Sequence, residues 1–103
     1  MTAQLYLPQQ PPLVVSASGL SLPDPTTGFA RVPEQVPLLL DCAAGLVDVL
    51  ASGPDFVAYS IFDYEGGLVN TSAMKELSKL TGLAFDVSND DDVLLGPVLV
   101  LTR

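Results

Sequence analysis

The chain contains no histidine, and this absence limits its possible chemistry more than any other feature of its composition. Histidine is the commonest general base, the usual partner of a serine or cysteine nucleophile and the commonest transition-metal ligand. The chain has one cysteine, Cys42, and hence no partner for an intramolecular disulfide. The apolar neighbours of Cys42 predict a small buried hydrophobic residue. We therefore expect neither a catalytic set nor a cofactor.

Positive charge is also scarce. Twelve Asp and Glu residues outnumber four Lys and Arg residues, which gives a formal net charge of -8. Such a chain repels phosphate backbones and anionic lipid, so we expect neither nucleic acid nor a membrane among its partners. No apolar run approaches the roughly 20 residues of a membrane span, and no signal-peptide pattern opens the chain. A length of 103 residues predicts one domain. Because 49% of the residues are apolar, we expect some apolar surface to remain for a partner.

Seven of the nine prolines lie in the first 37 residues, where a helix is therefore disfavoured. We predict an extended N-terminal arm over residues 1–35, with one short strand at residues 13–17, followed by a small β-rich domain at residues 36–103. The arm has apolar anchors that we expect to bind a partner, another subunit, namely Leu5, Tyr6, Leu7, Pro8, Pro11, Pro12 and Leu13. The alternative is that the arm wraps its own domain.

The rest of the chain predicts a mainly β fold with one short α-helix, of the α+β class, built on a small antiparallel sheet or barrel. Residues 36–41 and 45–50 are two apolar runs that indicate a hairpin. Residues 56–62 are apolar on both faces of an extended chain, which is typical of a central strand. Residues 93–102 predict a last strand, with a bulge or an edge position at Gly96 and Pro97.

The helix signal is confined to residues 71–81. Asn70 or Thr71 supplies a side-chain oxygen for the N-terminus, and Gly82 follows the last periodic residue. Lys79 lies near the negative end of the helix dipole. The apolar stripe consists of Ala73, Met74, Leu77 and Leu80.

Two short patterns resemble chemical motifs. Ser72 and Lys75 have the S-x-x-K spacing of a serine–lysine enzyme, but the S-D-N and K-T-G elements of that class are absent, and a capped helix start explains the pair better. Residues 86–92 alternate like the first positions of a calcium loop. Asp91 and Pro97 then stand where an EF-hand needs glycine and glutamate, so we interpret this segment as a solvated acidic turn, with a weak cation site as the alternative.

A family resemblance joins several of these pieces. The run VPLLLD at residues 36–41, GLV at 45–47, an apolar strand, and GLVNTSAM at 67–74 leading into a helix resemble the lambda-type head decoration (cement) proteins of tailed bacteriophages. The resemblance covers roughly residues 36–83. It implies a small β-rich domain that forms a homotrimer and binds the major capsid protein on the outer face of a phage head.

The function that the resemblance implies is structural. A decoration protein is made in the host cytoplasm, becomes part of the virion and stabilises the capsid lattice by bridging neighbouring capsid subunits. The alternative is another phage assembly subunit, of the tail or connector, or a small module that binds or inhibits a protein. Neither interpretation needs an active site.

Overall fold

A five-stranded antiparallel sheet forms the centre of the protein. The computed structural model describes residues 1–20, 22, 33–53, 55–62, 68–82 and 94–103. Within them the order of elements is β1 (Thr2–Tyr6), β2 (Leu13–Val15), α1 (Gln35–Leu40), a 3-10 helix (Ala44–Leu46), β3 (Val47–Gly53), β4 (Phe56–Ile61), α2 (Thr71–Thr81) and β5 (Val98–Thr102). The strand order is β2-β1-β5-β4-β3, with every pair antiparallel. The predicted α+β class is confirmed.

Apolar side chains cover both faces of this sheet. On one face Val36 and Leu40 of α1 pack into a cluster with strand residues, namely Ala3, Leu5, Val57, Tyr59, Leu99 and Leu101. On the other face Ala73 and Leu77 of α2 pack with Tyr6, Ala58, Val98 and Val100. Because the inner strands are buried on both sides, they need apolar residues at consecutive positions rather than in alternation.

The strand predicted at residues 56–62 is confirmed as β4, which lies between β5 and β3. The short strand predicted at residues 13–17 is confirmed as β2. The last strand is also present, but the bulge or edge position expected at Gly96 and Pro97 is wrong, because β5 begins after Pro97 and lies in the middle of the sheet. Gly96 has a φ of +73°, which glycine adopts without strain, and a proline that precedes the ladder removes no hydrogen bond from it.

The extended N-terminal arm predicted for residues 1–35 is not present in the described residues. Instead, β1 pairs with β5 along its full length, from Thr2 opposite Thr102 to Tyr6 opposite Val98. The chain then turns at residues 7–10, where the Gln10 amide donates to the Leu7 carbonyl oxygen, and returns as β2. The prolines at positions 8, 11 and 12 lie in the connection, where no ladder hydrogen bond is required of them. Residues 2–6 and 13–15 are thus strands of their own domain's sheet.

The hairpin predicted from residues 36–41 and 45–50 is also wrong. The first run forms α1, and the second is divided between the 3-10 helix and the start of β3. Pro37 is the third residue of α1, within the first turn, where the backbone amides have no intrahelical acceptor and a missing N–H costs nothing. In α1 the side chains of Val36 and Leu40 are buried, while Leu38 is 79% exposed. Asp41 ends the helix in the left-handed region, with a φ of 59°.

Helix α2 confirms the prediction for residues 71–81 at both ends. The Asn70 side chain accepts a hydrogen bond from the Ala73 amide, and Gly82 adopts a φ of 74° while its amide donates to the Ser78 carbonyl oxygen. Ala73, Met74 and Leu77 are buried and Leu80 is half-buried, as the stripe predicted. The acidic segment at residues 86–92 lies outside the described residues.

Candidate protein-binding surface

The two ends of the sheet differ in the kind of side chain they expose. At one end β2, β5 and β3 begin, and β1 and β4 finish. The large apolar side chains exposed at this end include Leu46, Phe62, Leu68 and Val69, and we call these four residues the apolar end. Phe62 is 63% exposed and Leu68 is 56% exposed.

Backbone hydrogen bonds fix the position of these four residues. The Phe62 amide donates to the Leu46 carbonyl oxygen at 2.7 Å, which extends the β3–β4 ladder by one step beyond the pair of Val47 and Ile61. Leu68 accepts from the Gly96 amide at 3.2 Å, and Val69 forms an antiparallel bridge with Leu95. Backbone hydrogen bonds therefore hold the residues that carry these exposed side chains.

Asn70 joins the pieces beneath the apolar end. Its side chain is fully buried, and its amide nitrogen donates to the carbonyl oxygens of Tyr6 and Gly96, at 2.8 Å each. Its side-chain oxygen accepts from the Ala73 amide at 3.2 Å, and its backbone amide donates to the Leu94 carbonyl oxygen at 2.8 Å. A buried amide with both ends bonded carries no unpaired desolvation cost, so it can hold three segments in a fixed arrangement.

Tyr6 lies beside this network, on the face of the sheet that α2 covers. Burial raises the pKa of the Tyr6 hydroxyl above its ordinary value of 10.0, and the negative charge of Glu76 raises it further. The hydroxyl donates to the side-chain oxygen of Gln4 at 2.9 Å. Tyr6 is therefore a neutral, structural hydroxyl at physiological pH.

Among the described residues, the other end of the sheet exposes one large apolar side chain, Met1, and a charged pair. The carboxylate of Asp55 lies 2.9 Å from the Arg103 guanidinium, and the Arg103 backbone amide donates to the Asp55 carbonyl oxygen at 2.9 Å. Both side chains are largely exposed, so water screens the pair and its contribution to stability is small. The contrast between the two ends identifies the apolar end as the better candidate for a partner contact.

The structure divides the predicted anchors into two groups. Leu5 and Tyr6 are buried in the protein's own core, and Leu7 packs against that core, so these three residues are not available to a partner in this fold. Their position follows from β1 lying between β5 and β2, where both faces of the strand are covered.

The remaining anchors lie on the surface. Pro8 is half-buried, Pro11 and Pro12 are exposed, and Leu13 is 47% exposed. All four lie in the β1–β2 connection or at the start of β2, which is the same end of the sheet as Phe62. The sequence prediction missed the four residues of the apolar end. Its only signal was apolar residues next to polar turn residues, at positions 62, 68 and 69.

The remaining chemical motifs do not gather into a site. Ser72 is half-buried and Lys75 is exposed, both in the first turns of α2. Cys42 is half-buried against the core, and burial, followed by the charge of Asp41, raises the pKa of its thiol, which disfavours the reactive thiolate. Among the residues described, no three His, Cys, Asp or Glu side chains are grouped so as to hold a metal ion. Neither helix in the described ranges has the length and apolar character required to cross a bilayer.

Comparison with known protein families, with curated proteins and with solved structures finds no match to this chain.

Proposed function

We propose that this protein is a non-catalytic assembly subunit that binds another protein through the apolar end. The observation that carries the proposal is the exposure of four large apolar side chains at one end of the sheet of a chain with a net charge of -8. Apolar side chains scattered singly over a surface need no explanation, whereas a group of them on hydrogen-bonded backbone is typical of an interaction surface.

The energetics favour such a role. Full burial of a side chain such as Phe or Leu contributes about 1.5–3 kcal/mol, and Phe62 and Leu68 still expose more than half of their surface for a partner to cover. A stable interface buries about 1,200–2,000 Å² in total, with an apolar centre and a polar rim. We assign the apolar end to that centre and the hairpin tip, with Pro11 and Pro12, to the rim.

The specific form that we propose is a capsid decoration protein, located on the outer surface of a phage head. Support comes from the resemblance of residues 36–83 to the lambda-type decoration proteins and from the absence of histidine. The partner is then the major capsid protein, and the resemblance further implies a homotrimer. Because β1 is part of the sheet, we place the attachment in the apolar end rather than in an N-terminal arm.

In this role the protein acts as a clamp. Apolar area buried against two neighbouring capsid subunits contributes about 25 cal/mol per Å², so a subunit that contacts both opposes their separation. The alternative is a tail or connector subunit, or a protein inhibitor, that uses the same apolar end.

Reconstitution on capsids tests the proposal. Heads of the virus that encodes the chain are purified without it, incubated with the wild-type protein, and imaged by electron microscopy to count the occupied positions. We expect wild type to decorate the outer surface and the double variant Phe62→Ser/Leu68→Ser to lose occupancy.

The matched control is Val14→Ser, because Val14 is 74% exposed and lies on the edge strand β2, which β1 and β5 separate from β4, the strand that Phe62 follows. Circular dichroism checks that all three proteins are folded. Equal occupancy by wild type and the double variant contradicts the proposed surface. Wild-type protein found in tails, and never on heads, favours the alternative function.

A further inference from the structure

We infer that the partner surface covering the apolar end is itself apolar with a rim of Lys and Arg, an inference that rests on the proposed function. The first observation is the position of Asp48. It lies two residues after Leu46, opposite Ser60 in the β3–β4 ladder, and it is exposed. Asp48 and Ser60 are directly opposite and share a face of the sheet, and only the pair of Val47 and Ile61 separates them from the hydrogen bond between Phe62 and Leu46.

Other charges near this end are also mostly negative. Asp41 is exposed at the end of α1, which contacts the 3-10 helix that carries Leu46. Glu76 lies close enough to Tyr6 for its charge to act on that hydroxyl. One positive charge also lies near this end, that of Lys75, which is exposed one turn into α2.

The other described cations lie farther away. Lys79 is in the last turn of α2, and Arg103 is paired with Asp55 at the opposite end of the sheet. Counted over the residues that the structure describes, the rim of the apolar end is therefore negative on balance, in agreement with the net charge of -8 for the chain.

These charges determine which kind of partner can bind the apolar end. A second copy would bring an identical acidic rim against the first, and like charges placed together across an interface oppose association. Nucleic acid and anionic lipid are disfavoured for the same reason. A protein segment that combines aromatic or aliphatic side chains with Lys or Arg satisfies both the apolar centre and the acidic rim.

A random dodecapeptide library displayed on yeast provides the probe. The wild-type protein is the bait, and peptides that still bind Phe62→Ser/Leu68→Ser are discarded. We expect the retained peptides to be enriched in apolar residues and in Lys and Arg. A synthetic copy of one such peptide should bind more weakly as NaCl is raised, because salt screens exposed charge pairs over about 10 Å at 0.1 M.

Two variants with the same change in net charge then locate the effect. Asp48→Asn should weaken peptide binding about 1.5- to 5-fold, the range of an exposed ion pair. Asp55→Asn, at the opposite end of the sheet, should leave it unchanged. Retained peptides that lack Lys and Arg, or that bind equally at all salt concentrations, overturn this inference while the proposed function stands.

Two further outcomes are informative. A library that yields no peptide able to distinguish wild type from the double variant contradicts the proposed function and this inference together. Sedimentation that shows wild-type self-association, abolished by Phe62→Ser/Leu68→Ser, identifies a second copy as the occupant and overturns the basic partner.

Discussion

The side-chain amide of Asn70 donates a hydrogen bond to the carbonyl oxygen of Tyr6, at 2.8 Å, across 64 residues of sequence. Through this bond the residue that caps α2 also fixes the end of β1. The same nitrogen donates to the Gly96 carbonyl oxygen, just before β5. The first, the central and the last part of the chain thus meet at one buried side chain beneath the apolar end.

Replacement of this side chain should be costly. Asn70→Ala removes the helix cap and leaves the carbonyl oxygens of Tyr6 and Gly96 without their donor, so we expect a loss of about 2–4 kcal/mol in the free energy of unfolding. Asn70→Ser retains an oxygen for the cap and should lose less. Urea unfolding measures both changes.

The control for this prediction is Thr71→Ala, because Thr71 is the exposed neighbour of Asn70 at the first position of α2. It should change the free energy of unfolding by less than about 0.5 kcal/mol. An equal effect of Asn70→Ala and Thr71→Ala would show that the buried network contributes nothing beyond local helix propensity.

Two leucines in one helix give a second prediction. Leu40 is 1% exposed and Leu38 is 79% exposed, although only Leu39 separates them. Leu40→Ala should cost about 2–5 kcal/mol through the lost burial and the cavity, whereas Leu38→Ala should cost less than about 0.5 kcal/mol. Thermal or urea unfolding of the two variants checks the difference.

This pair also distinguishes the helix from the predicted hairpin. In an extended strand residues 38 and 40 point to the same face, so the two substitutions would have similar effects, while in a helix they point to nearly opposite sides. Similar losses for Leu38→Ala and Leu40→Ala would therefore contradict α1 as a helix.

The error over α1 shows where sequence patterns fail. A short apolar run is compatible with a buried strand or with one face of a short helix, and periodicity does not separate the two over six residues. Pro37 argued against a helix, yet it occupies the first turn, where proline is tolerated. By contrast α2 was predictable, because Asn70, a four-residue stripe and Gly82 all indicate the same element.

The prediction of an N-terminal arm was wrong for a different reason. The prolines of this segment predicted an extended arm, but Pro8, Pro11 and Pro12 lie in the connection between β1 and β2 and leave both strands intact. The apolar end left only a weak signal in the sequence. Leu46 meets Phe62 through the register of the β3–β4 pair, Leu68 is positioned by its bond to the Gly96 amide, and no local pattern encodes these pairings.

A comparison of Gly82 with Gly45 tests whether the left-handed backbone at the C-terminus of α2 requires glycine. A β-carbon added at Gly82 or at Gly45 meets no atom within 4 Å, so neither substitution causes a clash. Gly82 has a φ of +74°, whereas Gly45 is not in the left-handed region. Gly82→Ala should therefore cost about 1–2 kcal/mol, the strain of a left-handed residue with a β-carbon.

For the matched substitution at Gly45 we expect the opposite effect on stability. Gly45→Ala restricts the unfolded chain without straining the folded one, so it should be neutral or stabilise by about 0.4–1 kcal/mol. Unfolding curves of both variants against wild type measure the difference. Equal effects at the two positions would mean that the positive φ of Gly82 carries no strain for alanine.

Buried hydroxyls make the fold sensitive to alkali. Burial raises the pKa of Tyr59 above 10.0, and burial together with Glu76 raises that of Tyr6. Each group is kept protonated in the folded state, while in the unfolded chain it ionises near 10.0. Stability is therefore fully present below that pH and falls as the pH rises through it towards the folded pKa values.

Tyr6→Phe tests how much one hydroxyl contributes to the loss of stability at high pH. The variant loses the bond to Gln4 but no longer titrates at this position, so its stability should fall less steeply than that of wild type between neutral pH and about pH 11, measured by urea unfolding. Gln4→Ala is the control, because it removes the same hydrogen bond and keeps the titrating hydroxyl, so its alkaline decline should match that of wild type. A decline in Tyr6→Phe as steep as in Gln4→Ala would show that Tyr6 does not contribute to the alkaline loss.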